Sequence, residues 1–406
     1  MSKWKTVRIG DLCSDIIDCV NKTAPISDTP TKYRMLRTSD IRNGFINLEN
    51  LNCVTEDTFI KWTRRGKLQV GDIIFTREAP LGEVGMVRVA ENYFLGQRLV
   101  LFRANPDVCD NRFLLYAFQF HDNKQSIISK GVGATVLHLR VPECERIEIK
   151  VPELPTQQRI GAILSAYDDL IENNQKQIKL LEEAAQRLYK EWFVDLRFPG
   201  YETTPIIDGV PEGWKIDRAD SFFTMSIGKT PPRAEKQWFT DGNFGTPWIS
   251  ISDMGNSGTY IFRTAEGLTS EAVSKHNVKI VPSDTVLVSF KLTVGRVSIT
   301  TADTCTNEAI AHFLIPDSIL KEYTYLYLKH FEYDSLGNTS AISKAVNSKI
   351  IKAMPFVMPN AETLENFHHM AMPILNAIKC KQKSNICLSE ARDRLLSKLM
   401  SGEIEV

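Results

Sequence analysis

Two short glycine-containing stretches have the form of nucleotide-binding loops, but neither is complete. "GKT" at 228–230 resembles the end of a phosphate-binding loop, yet Phe223 stands where such a loop requires its first glycine. "GVGATV" at 131–136 has two glycines and no third, and it does not open a dinucleotide-binding helix. We therefore expect both stretches to be loops without nucleotide chemistry.

Two further stretches contain residue types that metal-dependent enzymes use. "EIK" at 148–150 has the form of a nuclease Glu-x-Lys, but the nearest Pro-Asp, at 106–107, is distant and the stretch is predicted to be a strand. The neighbouring His368 and His369 lie in a predicted helix without a nearby third ligand, so solvated side chains are expected. The sequence thus predicts no catalytic residue and no metal site.

Basic loops that contain aromatic and hydroxyl side chains indicate binding chemistry instead. "KWTRRGK" at 61–67 places four basic residues around a tryptophan, and such a loop can neutralise phosphates while the ring stacks or packs. "KYRMLRTSDIRN" at 32–43 and "GKTPPRAEKQWF" at 228–239 are similar in character. Any one of them is compatible with a solvated loop, but their recurrence in both halves of the chain favours DNA binding. The predicted DNA-binding residues are Arg34, Arg37, Ser39, Arg64, Arg65, Lys67, Arg77, Lys130, Lys229, Arg233, Lys236, Ser289 and Lys291.

Composition is that of an ordinary globular protein of several domains. The 406 residues are 43% hydrophobic and 24% charged, with 49 basic and 49 acidic side chains, which argues against a general cationic coat but not against local basic patches. The eight cysteines include no CxxC pair, so reduced thiols are expected rather than disulfides or a zinc site. Neither a signal peptide nor a membrane span is predicted, and we expect a cytoplasmic protein.

The elements that must position these residues occur twice, in the same order. The matched segments include 3–12 with 213–222, 68–87 with 279–299, 145–155 with 351–361, and the helix ends "EAAQRLYKEWF" at 183–193 with "EARDRLLSKLM" at 390–400. Each copy combines short β-branched strands, Gly/Asn/Asp turns and a few helices. The repeat predicts two α+β domains, each of which is followed by a long helix.

The long helices have the periodicity of a coiled coil. Apolar residues recur every three or four positions in a predicted helix from Thr156 to about Leu196, and Asn174 is a polar seam residue of the kind that fixes register. The second helix has polar seam positions as well, so the first helix is its expected antiparallel partner; a dimerisation coil is the alternative. The predicted seam comprises Leu164, Ile171, Asn174, Ile178, Leu181, Leu188 and Trp192 with Leu388, Leu395 and Leu399.

The predicted architecture is therefore an α+β protein with an internal pseudo-twofold repeat, in which an antiparallel coiled-coil helix pair separates two globular domains. Globular domains are assigned to 1–154 and 200–361, and long helices to 155–199 and 362–406.

The chain resembles the DNA-specificity subunits of type I restriction–modification enzymes. The resemblance is carried by "VPELPTQQRIGAIL" (151–164), "YKEWFVDLRFPG" (189–200), "PEGWK" (211–215), "VSFKLTVGRVSI" (288–299) and "KLMSGEI" (398–404). The copies depart from this pattern in two places. "FTREAPLG" at 75–82 stands where the Ser-Phe-Lys loop is expected, and Glu365 and Asn366 replace Gln157 and Gln158.

This resemblance implies a non-catalytic subunit that takes part in host defence. Each half would recognise one part of a bipartite site in double-stranded DNA. Two DNA methyltransferase subunits would dock on the chain, and motor-nuclease restriction subunits would join them. S-adenosylmethionine, ATP and Mg²⁺ are expected on those partners and not on this chain. A coiled-coil scaffold without nucleic acid, or a divergent nuclease or methyltransferase, are the alternatives.

Overall fold

The computed structural model describes residues 4–133, 135–337 and 346–406. They form two compact units. The first comprises Met1–Ile171 and Cys387–Val406, and the second comprises Glu172–Ile386. Each unit thus combines a globular part with portions of both long helices.

The first unit is an α+β structure of short elements. Its strands are β1 (Lys5–Arg8), β2 (Cys13–Asp18), β3 (Arg34–Leu36), β4 (Ile41–Arg42), β5 (Phe45–Ile46), β6 (Asn52–Cys53), β7 (Ile73–Thr76), β8 (Val84–Met86), β9 (Tyr93–Leu95), β10 (Leu99–Ala104) and β11 (Glu148–Val151). Its helices are α1 (Ile9–Leu12), α2 (Glu56–Trp62), α3 (Asn111–Gln119), α4 (His121–Ser129), α5 (Val141–Glu145) and the start of α6 (Leu154–Tyr189).

The central sheet of this unit is antiparallel, with strand order β2-β10-β7-β8. The first three residues of strand β7 are a continuous apolar run, because both faces of the strand are covered. Ile73 and Phe75 join the cluster that includes Phe113 and Phe118 of α3, whereas Ile74 joins a second cluster with Leu36 and Leu95. A smaller sheet, β6-β3-β9, contains one parallel pair. Strands β1 and β11 pair to close the globular part, so "EIK" forms a strand as predicted.

The second unit has the same kinds of element. Its strands are β12 (Ile206–Ile207), β13 (Val210–Pro211), β14 (Lys215–Arg218), β15 (Thr224–Ile227), β16 (Phe239–Asp241), β17 (Thr246–Ile249), β18 (Tyr260–Ile261), β19 (Glu266–Leu268), β20 (Val286–Ser289), β21 (Val297–Thr300), β22 (Cys305–Thr306), β23 (Ile310–Leu314) and β24 (Pro355–Met358). Its helices are α7 (Ala219–Phe222), α8 (Ile251–Ser257), α9 (Ser270–Lys275), α10 (Lys321–His330), α11 (Ser348–Lys352) and most of α12 (Ala361–Ser401).

Sheet topology repeats between the two units. The order β15-β23-β20-β21 matches β2-β10-β7-β8, and β14-β24 matches the closing pair β1-β11. The order β19-β17-β22 matches β6-β3-β9, including the parallel pair β17/β22. The second unit extends these sheets with β16 and β18. The predicted α+β class and tandem repeat are therefore confirmed.

The long helices pack against each other in antiparallel directions within the first unit. There Leu164 of α6 shares a core cluster with Leu396 and Leu399, while Asp168, one turn later, contacts Arg392. Helix α6 begins slightly earlier than predicted, and its α-helical part ends at Tyr189 before a π-helical turn at Lys190–Val194. The predicted seam residues are buried (Leu164, Ile171, Trp192 and Leu399) or half-buried (Asn174, Ile178, Leu181, Leu188, Leu388 and Leu395).

Polar contacts interrupt both helical seams. In the second unit the Asn174 amide donates to Asn385 Oδ1 at 2.9 Å. In the first unit, the buried Asp168 carboxylate accepts from Tyr116 of α3 (2.6 Å) and from Arg392 Nη1 (2.6 Å). Burial, together with the Asp168 charge, raises the pKa of Tyr116 far above its ordinary value, so the hydroxyl stays a donor. Each of these two contacts joins one residue of α6 to one residue of α12 and thereby favours one register of the helix pair.

Candidate nucleic-acid interface

One loop has the same internal bracing in both units, and it follows the central strand of each main sheet. In the first unit Thr76 Oγ1 donates to the carbonyl of Pro80 (2.6 Å) and accepts from the amide of Glu83 (2.9 Å). In the second unit Ser289 Oγ donates to the carbonyl of Thr293 and accepts from the amide of Arg296 (3.0 Å). Thus "FTREAPLG" is the structural counterpart of the Ser-Phe-Lys loop despite its different sequence.

This bracing changes the role of Ser289, which the sequence placed among the DNA-binding residues. Its side chain is fully buried and bonds within its own loop. The hydroxyl is therefore not presented to a ligand in this structure, and it shapes the loop instead.

Backbone hydrogen bonds fix two neighbouring segments beside each of these loops. In the first unit, the amide of Arg77 donates to Arg98 O (2.8 Å) and the amide of Leu139 donates to Arg77 O (3.0 Å). In the second unit, the amide of Phe290 donates to Ala309 O (2.9 Å), and the amide of Val346 to Phe290 O (3.1 Å). The two units therefore share one backbone scaffold at this place and carry different side chains on it.

In the first unit these segments surround a polar cavity of about 310 Å³. Arg77 forms its wall, because it is largely buried, pairs with Asp18 at 3.0 Å and donates to Leu139 O at 3.2 Å. The cavity is lined by Asn21, Arg77, Glu78, Gln97, Arg98, His138, Leu139 and Arg140. Of these, the sequence predicted only Arg77, because the others come from loops that are far apart in the chain.

The segment 61–67, whose first two residues are the end of α2, is linked to this wall by Asp18, which forms ion pairs with both Arg65 and Arg77. Arg65 donates to Asp18 Oδ2 (3.2 Å) and to Cys19 O (2.6 Å), while Arg64 donates to Lys61 O (3.0 Å). Arg64, Arg65 and Lys67 are all exposed, and the ring of Trp62 packs in a small core. Lys130 is also exposed, at the end of α4.

The predicted residues around β3 bond mainly within their own segment. Arg37 binds Asp40 through two nitrogens (2.8 and 3.0 Å), and this hydrogen bonding raises the pKa of Arg37 above its ordinary value. Arg34 donates to the carbonyls of Thr31 and Tyr33, and Ser39 is exposed beside Asp40.

In the second unit the predicted basic residues differ in their exposure and in the side chains that they contact. Arg233 lies over the rings of Phe239 (4.3 Å) and Trp248 (4.5 Å) and forms an ion pair with Glu266 at 2.8 Å. Lys229 and Lys236 are exposed, and Lys291 lies near the Phe290 ring. Next to Lys291, Leu292 has a positive φ and is 78% exposed at the loop tip.

The prediction of solvated histidines is wrong for His368. Its Nδ1 lies 2.7 Å from the carboxylate of Glu322, which is fully buried in α10, so His368 belongs to a helix–helix contact; His369 is exposed. Within the described residues, no group of His, Cys, Asp and Glu could hold a metal ion.

The remaining expectations from the sequence concern cysteines, membranes and the 131–136 loop. The eight cysteines are free. None of the helices described has the length and apolar character of a membrane span. Of the 131–136 stretch, Ala134 lies outside the described residues.

Comparison with known proteins identifies the family. The model of the "Type I restriction modification DNA specificity domain" matches residues 1–183 and again 211–370. The chain is 22% identical to the type I restriction enzyme HindI specificity subunit of Haemophilus influenzae, over 100% of both chains. It is 25% identical to the MjaIX specificity subunit of Methanocaldococcus jannaschii, over 83% of this chain and 78% of that one.

A solved structure supports the fold. The S subunit of a type I restriction–modification system from M. genitalium aligns with a TM-score of 0.60 at 16% identity, over 98% of this chain and 96% of that one. Because the family model covers most of the sequence in two copies, the chain belongs to the type I restriction modification DNA specificity family, as a non-catalytic DNA-recognition subunit.

Proposed function

We propose that the two halves of this chain each recognise one part of a bipartite site in double-stranded DNA. The observation that carries the proposal is the scaffold shared by the two units. The backbone hydrogen bonds around Arg77 recur around Phe290, whereas the side chains differ. A repeated scaffold with different side chains suits a protein that recognises two different short sequences, because base edges are distinguished by side-chain donors and acceptors.

The exposed basic residues suit the proposed DNA contacts. Arg64, Arg65 and Lys67 form one cluster in the first unit, and Lys229 and Lys236 are exposed in the second. Such side chains can contact phosphates, which contribute affinity without sequence preference. Base recognition would then depend on the side chains around the loops that follow β7 and β20.

The proposed complex contains further subunits. Two DNA methyltransferase subunits would dock on this chain, and motor-nuclease restriction subunits would join them. S-adenosylmethionine would bind to the methyltransferases, and ATP and Mg²⁺ to the partner subunits. We place this complex in the cytoplasm, where it would act on cellular and invading DNA.

A domain exchange tests the proposal. Residues 1–153 should be replaced with the equivalent part of another family member, because β1 and β11 are paired and must be exchanged together. The donor should be compatible with Gln157, whose buried side chain bonds to Pro152 O (3.0 Å) and Val108 O (3.1 Å). The complex with methyltransferase is then used to map methylated sites by sequencing.

We expect the exchange to change one half-site and to retain the other. A matched chain in which 211–359 is exchanged should change the other half-site instead. A change in both half-sites after a single exchange would contradict separate recognition. A scaffold without nucleic-acid binding would give no shift of mixed-sequence DNA in a gel, with or without the methyltransferase.

A further inference from the structure

The polar cavity of the first unit is made by three segments that the backbone holds side by side. The turn that contains Gln97 and Arg98 bonds to Arg77, and Arg77 bonds to the segment of His138 and Leu139. His138 in turn exchanges two backbone hydrogen bonds with Val132, both at 3.0 Å. The backbone from which the side chains of the cavity project is thus held in place by hydrogen bonds within the unit.

Arg98 has an unusual backbone conformation at this place. Its φ is 68°, in the left-handed region, which a side chain with a Cβ rarely occupies. The scaffold itself does not require this conformation, because the equivalent Ala309 makes the same backbone bond without a positive φ. Strained residues that the fold does not require are concentrated at functional sites.

The hydrogen-bonding groups of Arg98 and Gln97 are only partly used. Arg98 is half exposed and forms an ion pair with Glu78, in which Nε lies 3.4 Å from the carboxylate. Gln97 accepts from Thr23 at 3.1 Å through its amide oxygen. Among the described residues, nothing accepts a hydrogen bond from the two Nη groups of Arg98 or from Nε2 of Gln97.

The chemistry of these groups matches that of base edges in the major groove. Arginine forms paired hydrogen bonds with guanine, and the amides of glutamine and asparagine do so with adenine. Arg77 differs from Arg98, because Asp18 and a carbonyl already occupy its guanidinium. The cavity therefore has a wall formed by Arg77 and is also lined by Gln97, Arg98 and the exposed Asn21, which carry donors without an acceptor among the described residues.

We propose that Arg98, with Gln97 and Asn21 beside it, recognises base edges in the first half-site and thereby determines its sequence. This inference rests on the proposed function, since it names the residues by which the first unit would select DNA. It assigns Arg98 to base recognition and leaves the loop at 61–67 as the phosphate contact.

The test uses Arg98→Gly in the full chain, assembled with its methyltransferase partner. Glycine is chosen because it adopts a φ of 68° without strain and removes the whole side chain. Gln97→Ala is the second variant. Arg146→Ala is the matched control, because Arg146 is an exposed arginine of the same unit outside the cavity. The native complex first defines the recognised sequence by methylation mapping.

Binding is then measured on the native site, on sites with each base pair of the first half-site changed, and across a salt series. At one base pair of the first half-site, we expect Arg98→Gly to lower the ratio of the affinities for the native and the changed base pair by about 5- to 150-fold. Gln97→Ala should lose discrimination at the same or the adjacent pair. The second half-site and the behaviour of Arg146→Ala should be unchanged, and the unchanged half-site shows that the variant complex is assembled.

Two results would overturn the inference. Uniformly weaker binding to every sequence, with a salt slope reduced by about one, would make Arg98 a phosphate contact. If both variants discriminated between base pairs as well as the native chain does, other residues would be responsible for base recognition. Failure of the proposed function is a separate result, because the native complex itself would then show no sequence preference.

Discussion

At the scale of single residues, His312 shows how a buried titratable group ties stability to pH. The ring lies in β23, with Nδ1 at 2.7 Å from Ser226 Oγ and Nε2 at 2.7 Å from Thr306 Oγ1. Burial lowers the pKa of His312 from 6.5 to about 4. The folded state therefore holds a neutral imidazole, and its contribution is fully present above pH 6.5. As pH falls toward 4, the unfolded state binds a proton that the folded state excludes.

We expect the free energy of unfolding of the second unit to fall by about 1.4 kcal/mol per pH unit over this range from His312 alone. His312→Gln is the comparison, since an amide can bond both hydroxyls and does not titrate. Denaturant unfolding from pH 7 to 4.5 can be followed by the fluorescence of Trp192, Trp214, Trp238 and Trp248, which all lie in this unit. Parallel pH profiles for the two proteins would show that His312 is not the source.

Contacts of single residues are also the features that the sequence predicts least completely. Ser289 stands among basic residues in a loop, so the sequence pattern predicts a DNA contact, and only the folded loop shows its hydroxyl bonded inward. Asp168 makes a contact that the sequence does not indicate, because its partner Arg392 is 224 positions away in the sequence. Gln97 and Arg98 lack a local motif. Sequence spacing indicates neighbours along one element, but these sites are made by loops that converge in space.

At the scale of elements, the hydrogen bond between Asn174 and Asn385 gives a prediction about helix register. Replacing Asn174 alone with leucine leaves the half-buried Asn385 amide without its partner. We expect the free energy of unfolding of the second unit to fall by about 1 to 2 kcal/mol. Asn174→Leu with Asn385→Leu should be at least as stable as the native chain, because the pair then forms an apolar contact.

A double-mutant cycle on these variants measures the coupling, with unfolding of all four proteins at one pH and salt concentration. Additive losses in the double variant would show that the two amides do not depend on each other. The same variants also test specificity. A leucine pair no longer favours one register, so the complex should methylate sites with more than one spacing between half-sites.

Elements were predicted well where one periodicity persisted over many residues. The seam from Leu164 to Trp192 indicated α6, and the repeat indicated a second helix of similar length. The π-helical turn at Lys190–Val194 was missed, because no residue there breaks the helical pattern. The short strands of the smaller sheets were not resolved individually, since two or three residues carry too little pattern to distinguish a strand from a loop.

At the scale of the whole molecule, the repeat within one chain raises the question of what sets the distance between the proposed half-sites. The two long helices are the candidates, because each contributes residues to both units. A test must lengthen them without disturbing their register. Asn174 faces Asn385, so an insertion after Ile178 in α6 has to be matched between Cys380 and Lys381 in α12. The asparagine pair and its neighbours on either side then keep their partners.

One heptad with apolar seam residues at each of these points lengthens the paired helices by about 10 Å. Since DNA rises about 3.4 Å per base pair, the gap between half-sites should grow by up to about three pairs. The half-site sequences should stay the same, because no base-contacting loop is changed. A chain with the heptad in α6 alone is the matched control, and it should lose the register of the helix pair beyond Ile178 and assemble poorly. Methylation mapping decides the outcome: an active double-insertion complex that still modified the original spacing would mean that the helices do not set the distance.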